Sequence, residues 1–178
     1  MLQDAFNKIQ ELSAEDKPRM KKIFFEKIQH RLCFMVEALT SLDNRRRVFR
    51  FLADFFVNQW RKGIPDFLEF VIHFCEELSL CEDPTVRQNV CTITGFVLSA
   101  GRGQCDIGTA RALSVEFRQR LYEILLSRQI DKSGAVRREV ILSVADIQDD
   151  DIPNDFPEAL ERSPKDSETI FLFCSYAL

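Results

Sequence analysis

Two stretches of the chain carry the same arrangement of residues fifty positions apart. "EDPTVRQNVCTITGFVL" and "DKSGAVRREVILSVADIQDD" superpose Val86 on Val136, Arg87 on Arg137, Val90 on Val140 and Val97 on Ile147. A match in order but only loosely in identity marks one structural unit used twice, and it restricts the chain to architectures in which similar units stack side by side. A weaker third copy is read in "DSETIFLFCSYAL". There Ile170, Cys174 and Ala177 take the positions of Val136, Val140 and roughly Val144, with Phe171 in place of the arginine.

Hydrophobic spacing predicts that the units are helical. Phe24, Ile28, Leu32, Met35, Leu39 and Leu42 recur at three- and four-residue intervals, the stripe of one long amphipathic helix. "LDNRRRVFRFLADFFVNQW" predicts a second, capped by Asp43 or Asn44, with Val48, Phe51, Leu52, Phe55 and Phe56 on one face and Gly63 and Pro65 ending it. "DFLEFVIHFCEEL" is apolar over so wide an arc that it should be covered on more than one side. Asp83 caps the next helix with Pro84 at its first position, and Ser114 opens another after the glycine-containing loop "SAGRGQCDIGT". No segment alternates apolar and polar residues as a half-buried strand would. The expected fold is all-α: an α-α superhelix of stacked helix pairs, continuous over residues 1–178.

Composition narrows the chemistry. The start "MLQDAFNKIQ" lacks the features of a secretory signal and no apolar run is long enough for a membrane span, which predicts a soluble intracellular chain. Six cysteines include no C-x-x-C, and with only His30 and His73 no zinc-ligand spacing can be assembled, so no metal is expected. Cys33, Cys75 and Cys91 sit among apolar neighbours and read as buried, unoxidised thiols. "GRGQCDIG" lacks both the G-K-[ST] of a phosphate-cradling loop and a dinucleotide fingerprint, and the histidines fit no nucleophile elbow. Catalytic residues, cofactors and a small-molecule substrate are therefore not expected.

The net charge of −4 hides an uneven distribution, because residues 17–62 hold twelve Lys or Arg against four acids. Arg45, Arg46, Arg47 and Arg50, with Arg61, Lys62, Lys21 and Lys22 behind them and Arg138 further on, are candidates for contact with a phosphate backbone. The same residues could equally be the solvated faces of helices. Arg87 and Arg137 stand near helix N-termini, where a cation opposes the helix dipole, and Asp83 and Asp131 are the loop acids expected to answer them.

An acid, then Val-Arg, then a small or branched apolar residue is the pattern of HEAT repeats, carried here by Asp83, Val86, Arg87 and Val90 and by Asp131, Val136, Arg137 and Val140. From about Ile23 to Asp151 the chain also resembles the N-terminal region of the G-type HEAT-repeat subunits of condensin. That family's pattern L-x-x-R-x-x-D-K-x-x-x-V-R-x-x-A-x-x-x-L-x-x-L-Q-D is met by Leu125, Arg128, Asp131, Lys132, Val136, Arg137, Ile147, Gln148 and Asp149. Family members are several times longer, so the chain is expected to be the first part of a longer solenoid, a shortened isoform or a divergent paralogue.

That resemblance implies a non-enzymatic, non-SMC subunit that acts in mitotic and meiotic chromosome condensation and segregation. Its implied partners are a kleisin chain, the SMC ATPases reached through it, and the backbone of double-stranded DNA in chromatin. The implied location is the nucleus and chromosomes, or the cytoplasm in interphase. A HEAT scaffold that binds a peptide and ignores DNA is the alternative reading.

Overall fold

A computed structural model of the chain describes residues 2–38, 42–101 and 112–148, which form seven helices with no strand among the described residues. They are α1 (Leu2–Gln10), α2 (Asp16–Ala38), α3 (Leu42–Arg61), α4 (Asp66–Ser79), α5 (Pro84–Gly101), α6 (Val115–Arg128) and α7 (Gly134–Gln148). These residues adopt the expected all-α class. The third copy of the repeat, with Ile170, Phe171, Cys174 and Ala177, lies outside the described residues, as do Asp149 and the loop from 102 to 111.

Local chemistry sets several helix ends. Before α2, the Ser13 hydroxyl accepts the Asp16 N–H at 3.2 Å and donates to the Asp16 carboxylate at 2.9 Å, a reciprocal pair at an N-terminus. α3 stops after Arg61, where Gly63 adopts φ 80 and supplies the left-handed turn that a side chain would resist. The Asp83 carboxylate accepts the Thr85 N–H at 2.7 Å as Pro84 opens α5. The Ser114 hydroxyl accepts the Phe117 N–H at 3.3 Å to open α6.

Three expectations need correction. The spacing that ran from Phe24 to Leu42 spans two helices, because α2 ends at Ala38 and Leu42 already belongs to α3. Asp43 and Asn44 consequently lie inside the first turn of α3 rather than ahead of it. The buried face of α3 is shifted from the expected one: Phe49, Ala53, Phe56, Val57 and Trp60 are buried, Val48, Leu52 and Phe55 still pack against the core, and of the five expected residues Phe51 alone is turned out, 68% exposed. The run "VFRFLADFFV" carries apolar residues around more than half the helix, so two stripes satisfy helical spacing, and packing against α4 and α5 selects one of them.

The core begins with an aromatic cluster. Phe67 of α4 is fully buried, with Phe6 at 4.6 Å, Phe25 at 5.4 Å, Phe55 at 5.5 Å and Phe24 at 5.9 Å between ring centroids. Most of these pairs meet edge-on or tilted, as the ring quadrupole favours. The cluster joins α1, α2, α3 and α4, and α4 is covered on more than one side, as its broad apolar arc required.

Beyond this cluster the helices are layered. α4 lies against α6, and α5 lies against both α3 and α7. Every residue from Asn89 to Leu98 of α5 is buried. Contact between α5 and α7 is close enough that a Cβ on Gly95 would lie 2.6 Å from the Ser143 side chain, whose hydroxyl donates to the Cys91 carbonyl at 3.1 Å. The Asn89 amide, also in α5, donates at 2.6 Å to the Val36 carbonyl, one of the acceptors that the end of α2 leaves without a helical partner. Burial pushes the Cys75 and Cys91 thiols up to about 12, so both are protonated core residues at neutral pH, whereas Cys33 is half-buried.

Candidate functional site

The repeated Val-Arg unit occupies equivalent surroundings in both copies. Val86 and Val136, Val90 and Val140, and Val97 and Ile147 are all buried. A first-turn side chain points back toward its helix N-terminus, so each arginine reaches the carbonyls of the preceding loop. Arg87 Nη1 donates to the Cys81 and Glu82 carbonyls at 2.8 and 2.7 Å. Arg137 Nη1 donates to the Asp131 and Lys132 carbonyls at 2.7 and 3.2 Å, five and six residues back in both cases.

The acid that answers Arg87 is not the expected one. Arg87 forks onto Asp131, with Nε to Oδ2 at 2.7 Å and Nη2 to Oδ1 at 2.8 Å, so the α4–α5 loop is tied to the α6–α7 loop. Asp83 is instead engaged with the Thr85 N–H, and Cys81 is the residue that stands fifty positions before Asp131. Asp131 also accepts the Ser133 N–H at 2.9 Å and lies 3.5 Å from Arg128. The Arg87 hydrogen bonds, with that backbone N–H, lower the Asp131 carboxyl to about 2 despite its burial, and the Arg87 guanidinium is correspondingly raised.

A second fork, not foreseen from sequence, joins the other layer. Arg120 of α6 places Nε and Nη2 on the two carboxylate oxygens of Glu76 in α4 at 2.7 and 2.8 Å. Its hydrogen bonds hold the Glu76 carboxyl below the usual carboxylate range. Arg87–Asp131 and Arg120–Glu76 both span 44 residues, one for each layer of successive helix pairs.

The expected cationic cluster is divided: Arg45 is buried, Arg46, Arg61 and Lys21 are half-buried, and the rest are exposed. Arg45 is only 6% exposed, so it is not a surface phosphate contact in this conformation. Arg46 Nη1 donates to Glu139 Oε1 at 3.3 Å, and its guanidinium carbon lies 5.3 Å from the Phe96 ring centroid. Arg50 stacks on the same ring at 4.8 Å while its residue stays exposed. Arg61 Nη2 donates to the Ala100 carbonyl at 2.7 Å near the end of α5, Lys21 pairs with Asp66, and Lys22 lies 3.9 Å from Glu26. Arg47, Lys62 and Arg138 are exposed, and with Arg50 and Lys22 they form the outward-facing part of the candidate set.

Glu139 escaped sequence analysis because nothing in its neighbours marks it as buried. It is 4% exposed on α7 and also accepts the Thr92 hydroxyl of α5 at 2.9 Å. Trp60 and Phe56 are core residues: Trp60 meets Phe117 edge-on at 5.0 Å and donates Nε1–H to the Ala112 carbonyl at 3.3 Å. Among the described residues no group of His, Cys, Asp and Glu could hold a metal ion, and no helix is long and apolar enough to cross a membrane. Comparison of the chain with family models, curated proteins and solved structures finds no match.

Proposed function

We propose that the chain is a HEAT-repeat solenoid of the G type found in condensin, a non-enzymatic component that holds a kleisin segment and rests on the DNA backbone. The observation that carries this reading is the Arg87–Asp131 fork, set within two Val-Arg helices whose arginines both donate to carbonyls of the preceding loop. A rung between successive loops is what a stack of near-identical helix pairs needs to fix its repeat-to-repeat angle. In this reading Arg47, Arg50, Lys62 and Arg138 face phosphates, and the chain works on chromosomes in the nucleus alongside SMC ATPases.

The burial of Arg45 and the internal partners of Arg46, Arg61 and Lys21 favour a second reading, a peptide-binding HEAT scaffold with little affinity for DNA. Two measurements separate them. Co-purification of the tagged chain from dividing cells recovers SMC and kleisin chains under the first reading and neither under the second. Duplex DNA affinity, measured with and without a kleisin peptide, falls steeply with salt under the first, and the triple variant R47E/R50E/R138E weakens it and flattens that dependence. Salt-independent or absent binding in both proteins leaves the scaffold reading.

A further inference from the structure

The turns that lead into α5 and α7 are built alike. The Cys81 N–H donates to the Leu78 carbonyl and the Asp131 N–H to the Arg128 carbonyl, both at 3.1 Å. Each helix then closes its first turn with the arginine N–H, Arg87 on the Asp83 carbonyl and Arg137 on that of Ser133, both at 3.2 Å. The Arg87–Asp131 fork ties one turn to the other, so the two form a single fixed edge of the helix stack.

Both turns present an aliphatic side chain to solvent at the same place. Leu80 is 74% exposed and Ile130, fifty positions on, is 84% exposed, the highest values for large apolar residues among those described. An exposed charged residue follows two positions after each, and the signs are opposite: Glu82 after Leu80, Lys132 after Ile130. The carbonyls of these two residues accept from Arg87 and Arg137, but neither side chain makes a hydrogen bond or ion pair among the described residues. The adjoining exposed charges, Asp83 on the first turn and Arg137 on the second, reinforce the contrast.

We infer that this edge is where two copies of the chain associate, related by a two-fold axis that passes through the Arg87–Asp131 fork. In that arrangement the Leu80 end of one copy meets the Ile130 end of the other, and the same contact recurs on the far side of the axis. Leu80 packs on Ile130 while Glu82 stands against Lys132. A second copy answers both ends of the edge, whereas duplex phosphates attracted by Lys132 are repelled by Glu82 and Asp83, and a peptide of uniform charge fails at one end in the same way. The contact is small, of the class under about 1,200 Å² that gives transient complexes, so association with a Kd on the order of tens of micromolar is expected.

The inference does not depend on what the solenoid binds, and sedimentation equilibrium of the full chain between about 5 and 200 μM tests it. The weight-average mass rises from 20.7 kDa toward twice that value, and added salt opposes the rise because the charge pairs are exposed. E82K and K132E each bring like charges together at both contacts and weaken association about 10-fold or more. An equimolar mixture of E82K and K132E restores it, because every contact in the mixed pair again joins opposite signs. I130S removes an aliphatic group that carries no core packing, weakens association as well, and serves if a charge variant does not fold.

A mass that stays at 20.7 kDa over the whole range overturns the inference. So does a dimer that survives E82K, K132E and I130S unchanged, or a mixture that fails to associate when circular dichroism shows both variants folded. In each of these cases the two readings of function above are untouched, since co-purification and duplex affinity test them separately.

Discussion

Replacing Asp131 with Asn tests the rung between the repeats. Asn is nearly isosteric and keeps an oxygen for the Ser133 N–H, but its NH2 cannot accept from Arg87, so the change removes the charge and one arm of the fork. Holding the carboxyl at about 2 against an ordinary value of 3.8 corresponds to about 2 kcal/mol of folding free energy. Breaking a buried pair outright costs about 3–5 kcal/mol when the stranded ion has no other partner. Arg87 retains the Cys81 and Glu82 carbonyls, so the lower end applies and about 2–3 kcal/mol is expected.

Urea unfolding followed by circular dichroism reads this directly. With a slope of about 2 kcal/mol/M, the midpoint falls by about 1–1.5 M without a change in slope. The sign of the pH dependence is fixed by the direction of the shift. A carboxyl depressed in the folded state contributes fully above its unfolded value, near 4, and loses that contribution as pH falls toward 2. The gap between wild type and D131N is therefore constant from neutral pH to about pH 5 and shrinks by about half at pH 3. A midpoint shift under about 0.3 M, or a gap unchanged at pH 3, would refute the argument that this ion pair ties the repeats together.

Two further substitutions probe the packing. Phe67→Ala removes the ring that five others pack around and should cost about 3–5 kcal/mol in urea unfolding, whereas a cost under about 1 kcal/mol would mean the aromatic cluster collapses without loss. Gly95→Ala places a methyl 2.6 Å from the Ser143 side chain and should cost about 1–3 kcal/mol by parting α5 from α7, with G95A/S143G recovering part of it; no recovery would place the strain elsewhere.

The sequence was most legible where a residue's surroundings are local. Asp83, Pro84 and Ser114 mark helix starts because a cap acts on N–H groups two or three residues away, and Gly63 marks an end because its φ is positive. The equivalence of Val86 with Val136 was readable because both are buried near the start of their helices, where the same apolar spacing recurs. Legibility failed where two elements distant in sequence decide the outcome. Asp83 is nearer to Arg87 along the chain, yet Asp131 is nearer in space, since α5 and α7 pack side by side. The turn of α3 that leaves Phe51 exposed depends on which neighbours claim its wide apolar arc. α1 passed unremarked because its contribution, Phe6, is a single buried ring with Ile9 beside it.

Arginine shows most clearly why counting charge is not enough. Arg87 and Arg137 stand at first-turn positions, so their side chains run back onto loop carbonyls and their roles follow from helix geometry. Arg45 holds the same fourth position in α3, but that helix is flanked by α5, and the fates of its arginines depend on rotation about its axis. Arg45 turns inward, Arg46 and Arg50 lie over Phe96, and Arg47 points to solvent, although the four stand within six residues of sequence. The excess of cations between residues 17 and 62 consequently overstates the basic surface. Lys21, Arg46 and Arg61 are already engaged with a carboxylate or a helix-end carbonyl, and each would have to give up that contact to meet a phosphate. Any polyanion that binds here must gain more from Arg47, Arg50, Lys62 and Arg138 than it loses by disturbing the others, which is why the first test of function is charge reversal at the exposed positions and not across the whole cluster.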